Sequence, residues 1–310
     1  ASAQRKYALI DGLPRGHLEQ HPADWIQAAD ESVAECVRKL GADRSRIAGI
    51  GVSGQQHGLV VLDAKDAVVR PAKLWCDTST AEQCDQIAHE FGGQPGCIHL
   101  TGNAMLPGYT IPKLLWLKQN EPRNFAKVAS ILLPHDYLNF WLSGVKRMEY
   151  GDASGTGILN ARTRGWCYEI CDFIDKRVRD MLPPLGSSLE AHGTLRPDLA
   201  KKWGLSERVV ISAGGGDNMM GAIGTGNVQP GVVTVSLGTS GTVYAYAAEP
   251  VIDPQGEVAA FCDSTDRWLP LACTMNVTVA TEQVRRMFGW SHDALEAAVA
   301  DAAPGSDGLV

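Results

Sequence analysis

The sequence lacks any apolar run of the roughly 18 to 20 residues that a membrane-spanning helix requires. Its first residues, 1–7, also lack the apolar stretch of a secretory signal peptide. A basic excess is missing as well, because 28 Lys and Arg residues stand against 35 Asp and Glu residues, for a net charge of -7. We therefore expect a protein that binds neither membranes nor nucleic acids. The negative charge does not exclude binding of a small anionic ligand, because backbone N–H groups bind phosphate in acidic proteins too.

Two further signatures are missing. None of the eight cysteines forms a CxxC pair, so the sequence predicts neither a zinc site nor a redox pair. A disulfide framework is uncommon in a chain of this size, and we expect free thiols in a reducing cytoplasm. The GxxxxGK[ST] phosphate loop is also absent. Binding of nucleotide phosphates must therefore use another kind of loop.

What the sequence does contain is an alternation of helical and extended segments, which is typical of an α/β fold with a mixed sheet. The spacing of apolar residues predicts a helix over 22–40, with Pro22 in its first turn and Gly41 at its end. Strands are predicted at 46–53, 58–63 and 208–213, a hairpin at 232–246, and further helices at 80–91, 111–118, 134–142, 172–181 and from 219. We expect two domains, 1–224 and 225–310.

The loop of the predicted hairpin is a candidate phosphate-binding segment. It contains Gly238, Thr239 and Ser240. Glycine lets a backbone approach a ligand closely, and the hydroxyls add donors for a phosphate oxygen. An ordinary tight turn needs the same residue types, so this alternative stays open.

Asp217 is a candidate catalytic residue, because it follows three glycines where a buried strand ends and a helix begins. A carboxylate at such a place can take the proton of an alcohol that attacks a γ-phosphate. The alternative is a helix N-cap, a common role of Asp.

Polar and aromatic side chains after two earlier strands indicate a binding site for a polyhydroxylated ligand. Gln56, His57 and Gly58 form a short loop with several donors and acceptors, and Trp75 offers an aromatic face beside Asp77. The alternatives are a polar loop that satisfies its own backbone and a tryptophan that belongs to the core.

Together, a series of segments in fixed order resembles the FGGY family of carbohydrate kinases, and within it the xylulokinases. The segments are GVSGQQHGLVVLD, RPAKLWCD, TGNAMLPGYTIPKLLW, LLPHDYLNFWLSG, GDASGTGIL, GGGDNMMGAIGTG and VSLGTSG. The resemblance covers nearly the whole chain. It implies a two-domain, actin-like fold in which each domain has a ribonuclease-H-like core, with ATP between the domains.

The resemblance also implies roles for individual residues. Asp217 would be the general base, Asn218 would help to position the sugar hydroxyl, and Gly238, Thr239 and Ser240 would line the phosphates of ATP. The residues implied to contact or flank the sugar are Gln56, His57, Gly58 and Trp75. Gln56 stands where xylulokinases usually carry Met, and Cys76 and Thr78 replace the commoner Asn and Gly, so these departures bear on the choice of sugar.

Finally, the resemblance implies a chain truncated at both ends. Family members begin with an Asp-x-Gly-Thr hairpin that supplies a carboxylate for Mg²⁺, and they continue beyond a segment like 307–310. The metal ligands are therefore left unassigned. The expected function is ATP- and Mg²⁺-dependent phosphorylation of D-xylulose by a cytoplasmic enzyme, with a homodimer as the family expectation. The alternatives are a ribulose, gluconate or glycerol kinase and a non-catalytic nucleotide-binding module of actin-like fold.

Overall fold

The computed structural model describes residues 1–274 and 276–308, and helices alternate with short strands along most of them. The α-helices are α1 Pro22–Leu40, α2 Ala81–Glu90, α3 Gln94–Thr101, α4 Thr110–Asn120, α5 Pro122–Phe125, α6 Pro134–Ser143, α7 Tyr150–Ala153, α8 Tyr168–Ile174, α9 Val178–Met181, α10 Pro197–Trp203, α11 Asp217–Gly224, α12 Thr278–Met287 and α13 His292–Asp301. Short 3₁₀ helices lie at Gly41–Arg46, Ser154–Thr156 and Ser306–Gly308. Within the described residues, no helix combines the length and the apolar character that crossing a bilayer requires.

The strands are short and form several small sheets. They are β1 Glu19–Gln20, β2 Gly49–Ile50, β3 Ser53–Gly54, β4 Val60–Leu62, β5 Ala72–Lys73, β6 Ser130–Leu132, β7 Met148–Glu149, β8 Leu159–Asn160, β9 Gly165–Trp166, β10 Leu185–Gly186, β11 Ala191–Thr194, β12 Val210–Ser212, β13 Gly215–Gly216, β14 Val233–Leu237, β15 Gly241–Ala245, β16 Val258–Cys262 and β17 Trp268–Thr274.

Helix α1 confirms the prediction for 22–40. Pro22 lies in its first turn, where its missing N–H costs nothing, and Gly41 ends the helix with a φ of 57°. Trp25 and Val37 are buried, as the apolar spacing requires.

Two parallel strand pairs bring the segment 49–54 alongside 210–216. β2 pairs with β12, and β3 pairs with β13. Between the pairs, Gly214 has a φ of 65°, a backbone conformation that interrupts a regular ladder. The sequence predicts one strand over 46–53, and the structure divides it for this reason. The arrangement places the loop after β3 next to the start of α11.

The predicted hairpin is confirmed as β14 and β15, and it belongs to a four-stranded antiparallel sheet in the order β14-β15-β17-β16. This sheet is joined to earlier parts of the chain by buried hydrogen bonds. The Ala260 N–H donates to Asn103 Oδ1 at 2.7 Å, and the Cys262 N–H donates to Ser154 Oγ at 3.0 Å. The division into domains 1–224 and 225–310 stays a prediction.

One predicted helix differs in the structure. The segment 172–181 contains the end of α8 and the short helix α9 rather than one continuous helix. Asp175 has extended dihedral angles, and its Oδ1 accepts a hydrogen bond from the Arg177 N–H at 3.0 Å. Such a local side-chain bond competes with the helix and ends it.

Candidate active site

Asp217 is the first residue of α11, directly after β13. Gly216 occupies the N-cap position, and Asp217 is the first helical residue. The Asp217 carboxylate nevertheless accepts from a first-turn N–H of the helix, as the alternative interpretation expects. Gly216 must remain small, because a Cβ there would lie 2.6 Å from Gln56 Cγ. The Asp217 side chain is exposed, and its Oδ1 accepts a hydrogen bond from the Asn218 N–H at 3.0 Å.

The carboxyl group of Asp217 is electrostatically perturbed. Although it reaches solvent, the surrounding protein removes enough water to raise its pKa, and the negative charge of Asp152 raises this pKa further. A raised pKa increases the proton affinity of the carboxylate, which suits a group that accepts a proton.

Gln56 and Asn218 join the predicted sugar loop to α11. The Asn218 Nδ2 donates to Gln56 Oε1 at 2.8 Å, across 162 residues of sequence. The Gln56 side chain is only 4% exposed. The structure therefore brings together Gln56, Asn218 and Asp217, to which the family resemblance assigns roles. The Gln56 amide is engaged inside the protein.

His57 lies at the centre of a tight γ-turn. Its φ is 62°, and the Gly58 N–H donates to the Gln56 carbonyl at 2.8 Å. This form of γ-turn is rare and strained. Two side chains hold the His57 carbonyl oxygen, Thr110 Oγ1 at 3.1 Å and Lys113 Nζ at 3.0 Å. The turn is therefore fixed from the side of α4.

The imidazole of His57 packs among apolar groups. Its ring centroid lies 5.2 Å from that of Tyr109 and 5.6 Å from that of Phe261. Burial, and then the charge of Lys113, lower its pKa to about 3, so the ring is neutral at physiological pH. A neutral imidazole has one donor and one acceptor nitrogen.

Gly58 and Trp75 have different surroundings. A Cβ on Gly58 would lie 2.5 Å from Pro134 Cγ, so glycine is required there by packing. Trp75 is exposed, and its carbonyl oxygen lies 3.0 Å from where a Cβ on Gly108 would be. Lys113 Nζ donates to the carbonyls of both Gly108 and His57, and it thereby ties the segment beside Trp75 to the sugar loop.

Asp77, which the sequence places beside Trp75, is unavailable to a ligand. The side chain is fully buried, and its Oδ2 accepts hydrogen bonds from the Lys73 Nζ and the Leu18 N–H, both at 3.0 Å. Its Oδ1 accepts from Ser79. Asp77 is therefore part of an internal ionic cluster around Lys73.

Gly238, Thr239 and Ser240 form the turn between β14 and β15. Gly238 and Thr239 are exposed, and the Gly238 N–H donates to the Ser240 carbonyl at 2.9 Å. On its other side, the Gly238 carbonyl accepts from the Thr278 N–H at 3.0 Å, at the start of α12. The segment is thus a short, solvent-facing loop braced by a helix N-terminus.

Two buried, charged side chains near the site, Lys113 and His135, were not predicted from the sequence. Lys113 is a fully buried cation within the otherwise mainly apolar TIPKLLW segment, and this contrast was the available signal. His135 is also fully buried, with Nδ1 2.5 Å from Asp152 Oδ2 and Nε2 3.1 Å from Asp136 Oδ1. Burial lowers the pKa of His135, but the two aspartates outweigh this effect and raise it to about 10.

Two groups of side chains among the described residues have the composition of a metal site, but neither suits Mg²⁺. In the group of His17, Glu19 and Asp77, the Lys73 ammonium lies within 3.3 Å of each partner. In the other group, His135 bridges two buried aspartates. Since Mg²⁺ prefers oxygen ligands and retains several waters, these buried ion pairs are structural.

Comparisons with known proteins identify the family to which this chain is similar. The model of the "FGGY family of carbohydrate kinases, N-terminal domain" matches residues 1–224. A xylulose kinase of Haemophilus influenzae is 41% identical over 98% of this chain, which covers 63% of that protein. A xylulose kinase of Bacillus subtilis is 39% identical over 93% of the chain and 57% of its own length.

One solved structure is also similar to this chain. The chain is similar to a ligand-bound xylulose kinase of Lactobacillus acidophilus, with a TM-score of 0.88 and 25% identity over 99% of this chain and 62% of the other. This likeness confirms the expected actin-like α/β fold. The chain spans 57–63% of the length of these three relatives. On the match of the N-terminal domain model over residues 1–224, the chain belongs to the FGGY family of carbohydrate kinases.

Proposed function

We propose that the complete gene product containing this chain transfers the γ-phosphoryl group of ATP to the terminal 5-hydroxyl of D-xylulose. Membership of the FGGY family and the names of the two curated relatives support this proposal. The observation that carries it is the position of Asp217. This exposed carboxylate, with its raised pKa, adjoins the Gln56–His57 loop through Asn218.

In this proposal Asp217 accepts the proton of the 5-hydroxyl as its oxygen attacks the γ-phosphorus. Phosphoryl transfer needs little covalent chemistry from the protein, and alignment of the hydroxyl with the phosphate is the main requirement. The Asn218 N–H fixes one oxygen of Asp217, which sets the direction of the carboxylate. Raising the pKa of this group brings it closer to the pH at which a general base works best.

The sugar is proposed to lie against the loop of Gln56, His57 and Gly58, with Trp75 at its edge. The neutral imidazole of His57 can donate one hydrogen bond and accept another, which matches sugar hydroxyls. Gly58 contributes by leaving room for Pro134 rather than by a side-chain contact with the sugar. The exposed indole of Trp75 offers an apolar face for the C–H groups of a sugar.

The phosphates of ATP are proposed to meet the exposed turn at Gly238, Thr239 and Ser240. Mg²⁺ neutralises phosphate charge when it is bound, and we propose that it enters with ATP. This fits a chain whose described acid–histidine groups are internal ion pairs. We further expect a cytoplasmic homodimer, and the eight free thiols suit a reducing compartment.

The first experiment is an ADP-release assay of the complete gene product with Mg²⁺-ATP and a panel of ketoses, polyols and sugar acids. We expect turnover with D-xylulose well above that with ribulose, gluconate or glycerol. A preference for ribulose, gluconate or glycerol would still identify a sugar kinase. It would mean that the pocket near Gln56, Cys76 and Thr78 fits a different substrate. Absence of any sugar-dependent ADP release would contradict the proposal and favour a non-catalytic nucleotide-binding module.

Asp217→Asn tests the base directly. Loss of general-base catalysis is expected to lower kcat by roughly 10² to 10⁴-fold, while the sugar still binds. Asp293→Asn is a matched control, because Asp293 is also an exposed carboxylate in the first turn of a helix, α13. Wild-type turnover of Asp217→Asn would rule out the assignment.

A further inference from the structure

The strand that leaves the proposed phosphate loop carries a hydroxyl group that reaches the helix of the proposed base. Thr242, in β15, lies two residues beyond Ser240. Its Oγ1 donates to Asn218 Oδ1 at 3.0 Å. This hydrogen bond links the hairpin directly to the residue that follows Asp217.

The amide of Asn218 is held at both ends. Its Oδ1 accepts from Thr242, and its Nδ2 donates to Gln56 Oε1 at 2.8 Å. The same Nδ2 lies 3.4 Å from Asp217 Oδ1, and the Asn218 backbone N–H donates to that oxygen at 3.0 Å. The orientation of the amide therefore bears on the orientation of the carboxylate.

The contact is built into the packing of β15 on α11. Thr242 and Tyr244 are two residues apart in a strand, so they point to the same face of the sheet. On the helix, their neighbours Asn218 and Gly221 are three residues apart and share a face. A Cβ on Gly221 would lie 2.7 Å from the Tyr244 hydroxyl oxygen, so the Tyr244 side chain of the strand packs directly on the helix here. The Tyr244 contact and the Thr242–Asn218 hydrogen bond therefore join the same face of the strand to the same face of the helix.

We propose that Thr242 is a positioning residue for phosphoryl transfer, which orients the Asn218 amide and through it Asp217 and Gln56. The inference rests on the proposed function. It gives the hairpin a second role besides contact with phosphate: the same β-strand that follows the phosphate loop sets the geometry of the base and of the sugar loop. In this proposal Thr242 acts through Asn218 rather than through contact with a substrate.

Thr242→Val and Thr242→Ser form the decisive pair. Valine keeps the β-branched shape that suits a strand but removes the hydroxyl, whereas serine keeps the hydroxyl. In the complete gene product with Mg²⁺-ATP and the preferred sugar, Thr242→Val is expected to lower kcat about 10-fold, as misorientation of a catalytic group does. The KM values for both substrates are expected to change less than about 3-fold, because ground-state contacts are kept. Thr242→Ser is expected to recover most of the lost kcat.

Thr234→Val is the matched control on the other strand of the hairpin. The Thr234 hydroxyl pairs with Thr225 Oγ1 at 2.8 Å and accepts from Asn227 Nδ2 at 3.2 Å, away from Asn218. This variant is expected to lower the thermal stability without lowering kcat.

Three results would overturn the inference. They are an unchanged kcat in Thr242→Val, an equal loss in Thr242→Ser, and an equal loss in Thr234→Val, which would indicate general damage to the hairpin. In each of these cases an active wild type would leave the proposed function intact. A wild type without sugar-dependent ADP release would instead refute the proposed function and the inference together.

Discussion

Replacing Lys113 with methionine tests the electrostatics beneath the proposed sugar loop. Lys113 is fully buried, and its ammonium donates to the carbonyls of His57 and Gly108. Burial lowers its pKa to about 7 from an ordinary 10.5, although the charge of Asp77 acts in the opposite direction. At about 1.36 kcal/mol per pH unit, this difference corresponds to roughly 5 kcal/mol.

The sign of the effect follows from proton binding. Between pH 7 and 10.5 the unfolded chain holds the Lys113 proton and the folded chain releases it. The contribution of Lys113 to the free energy of unfolding therefore increases as the pH rises through that range. Methionine has no such proton. We therefore compare the free energies of unfolding of the two proteins. The difference, wild type minus Lys113→Met, is expected to increase by as much as about 5 kcal/mol from neutral to alkaline pH.

The assay is denaturant unfolding of the complete gene product and its variants, followed by tryptophan fluorescence at several pH values. Ionisable groups that the wild type and the variants share contribute equally to each free energy of unfolding, so their effects cancel when the wild type and a variant are compared. Lys118→Met is the control on the same helix, since the Lys118 side chain is 39% exposed whereas that of Lys113 is fully buried. A difference for Lys113→Met that stays constant with pH would refute the reasoning. It would mean that the two carbonyls fully replace the lost hydration.

Two further predictions concern the same site. Asp152→Asn removes a negative charge that raises the pKa of Asp217, so the acidic limb of the kcat/KM profile should move to lower pH; an unmoved limb would contradict the coupling. Gly155→Ala places a Cβ where the His57 ring now lies, so the KM for sugar should rise, with a stability loss of about 1–3 kcal/mol from overpacking, as measured by sugar titration and thermal unfolding. A KM equal to that of the wild type would show that the ring position does not matter for sugar binding.

Local signals in the sequence determined much of the fold. The helix Pro22–Leu40 follows from apolar spacing together with Pro22 and Gly41, all of which act within a few residues. The hairpin of β14 and β15 likewise has its turn residues between two apolar runs. Asp217 could be chosen as a candidate because it follows a strand and begins a helix. Where a local rule failed, as at Asp175, a single side-chain hydrogen bond ended a helix that the apolar pattern would have continued.

The tertiary structure decided which side chains surround Asp217 and which side chains hold those neighbours in place. Gln56 and Asn218 are 162 residues apart, and no local pattern shows that their amides meet. Lys113 reaches the His57 carbonyl across 56 residues, and its place in an apolar helix marks it as unusual without naming its partner. Sequence pattern records the preferences of neighbouring residues, whereas hydrogen bonds between distant segments depend on how the strands and helices pack. For that reason the candidate base and loops could be predicted, but the contacts that orient them could not.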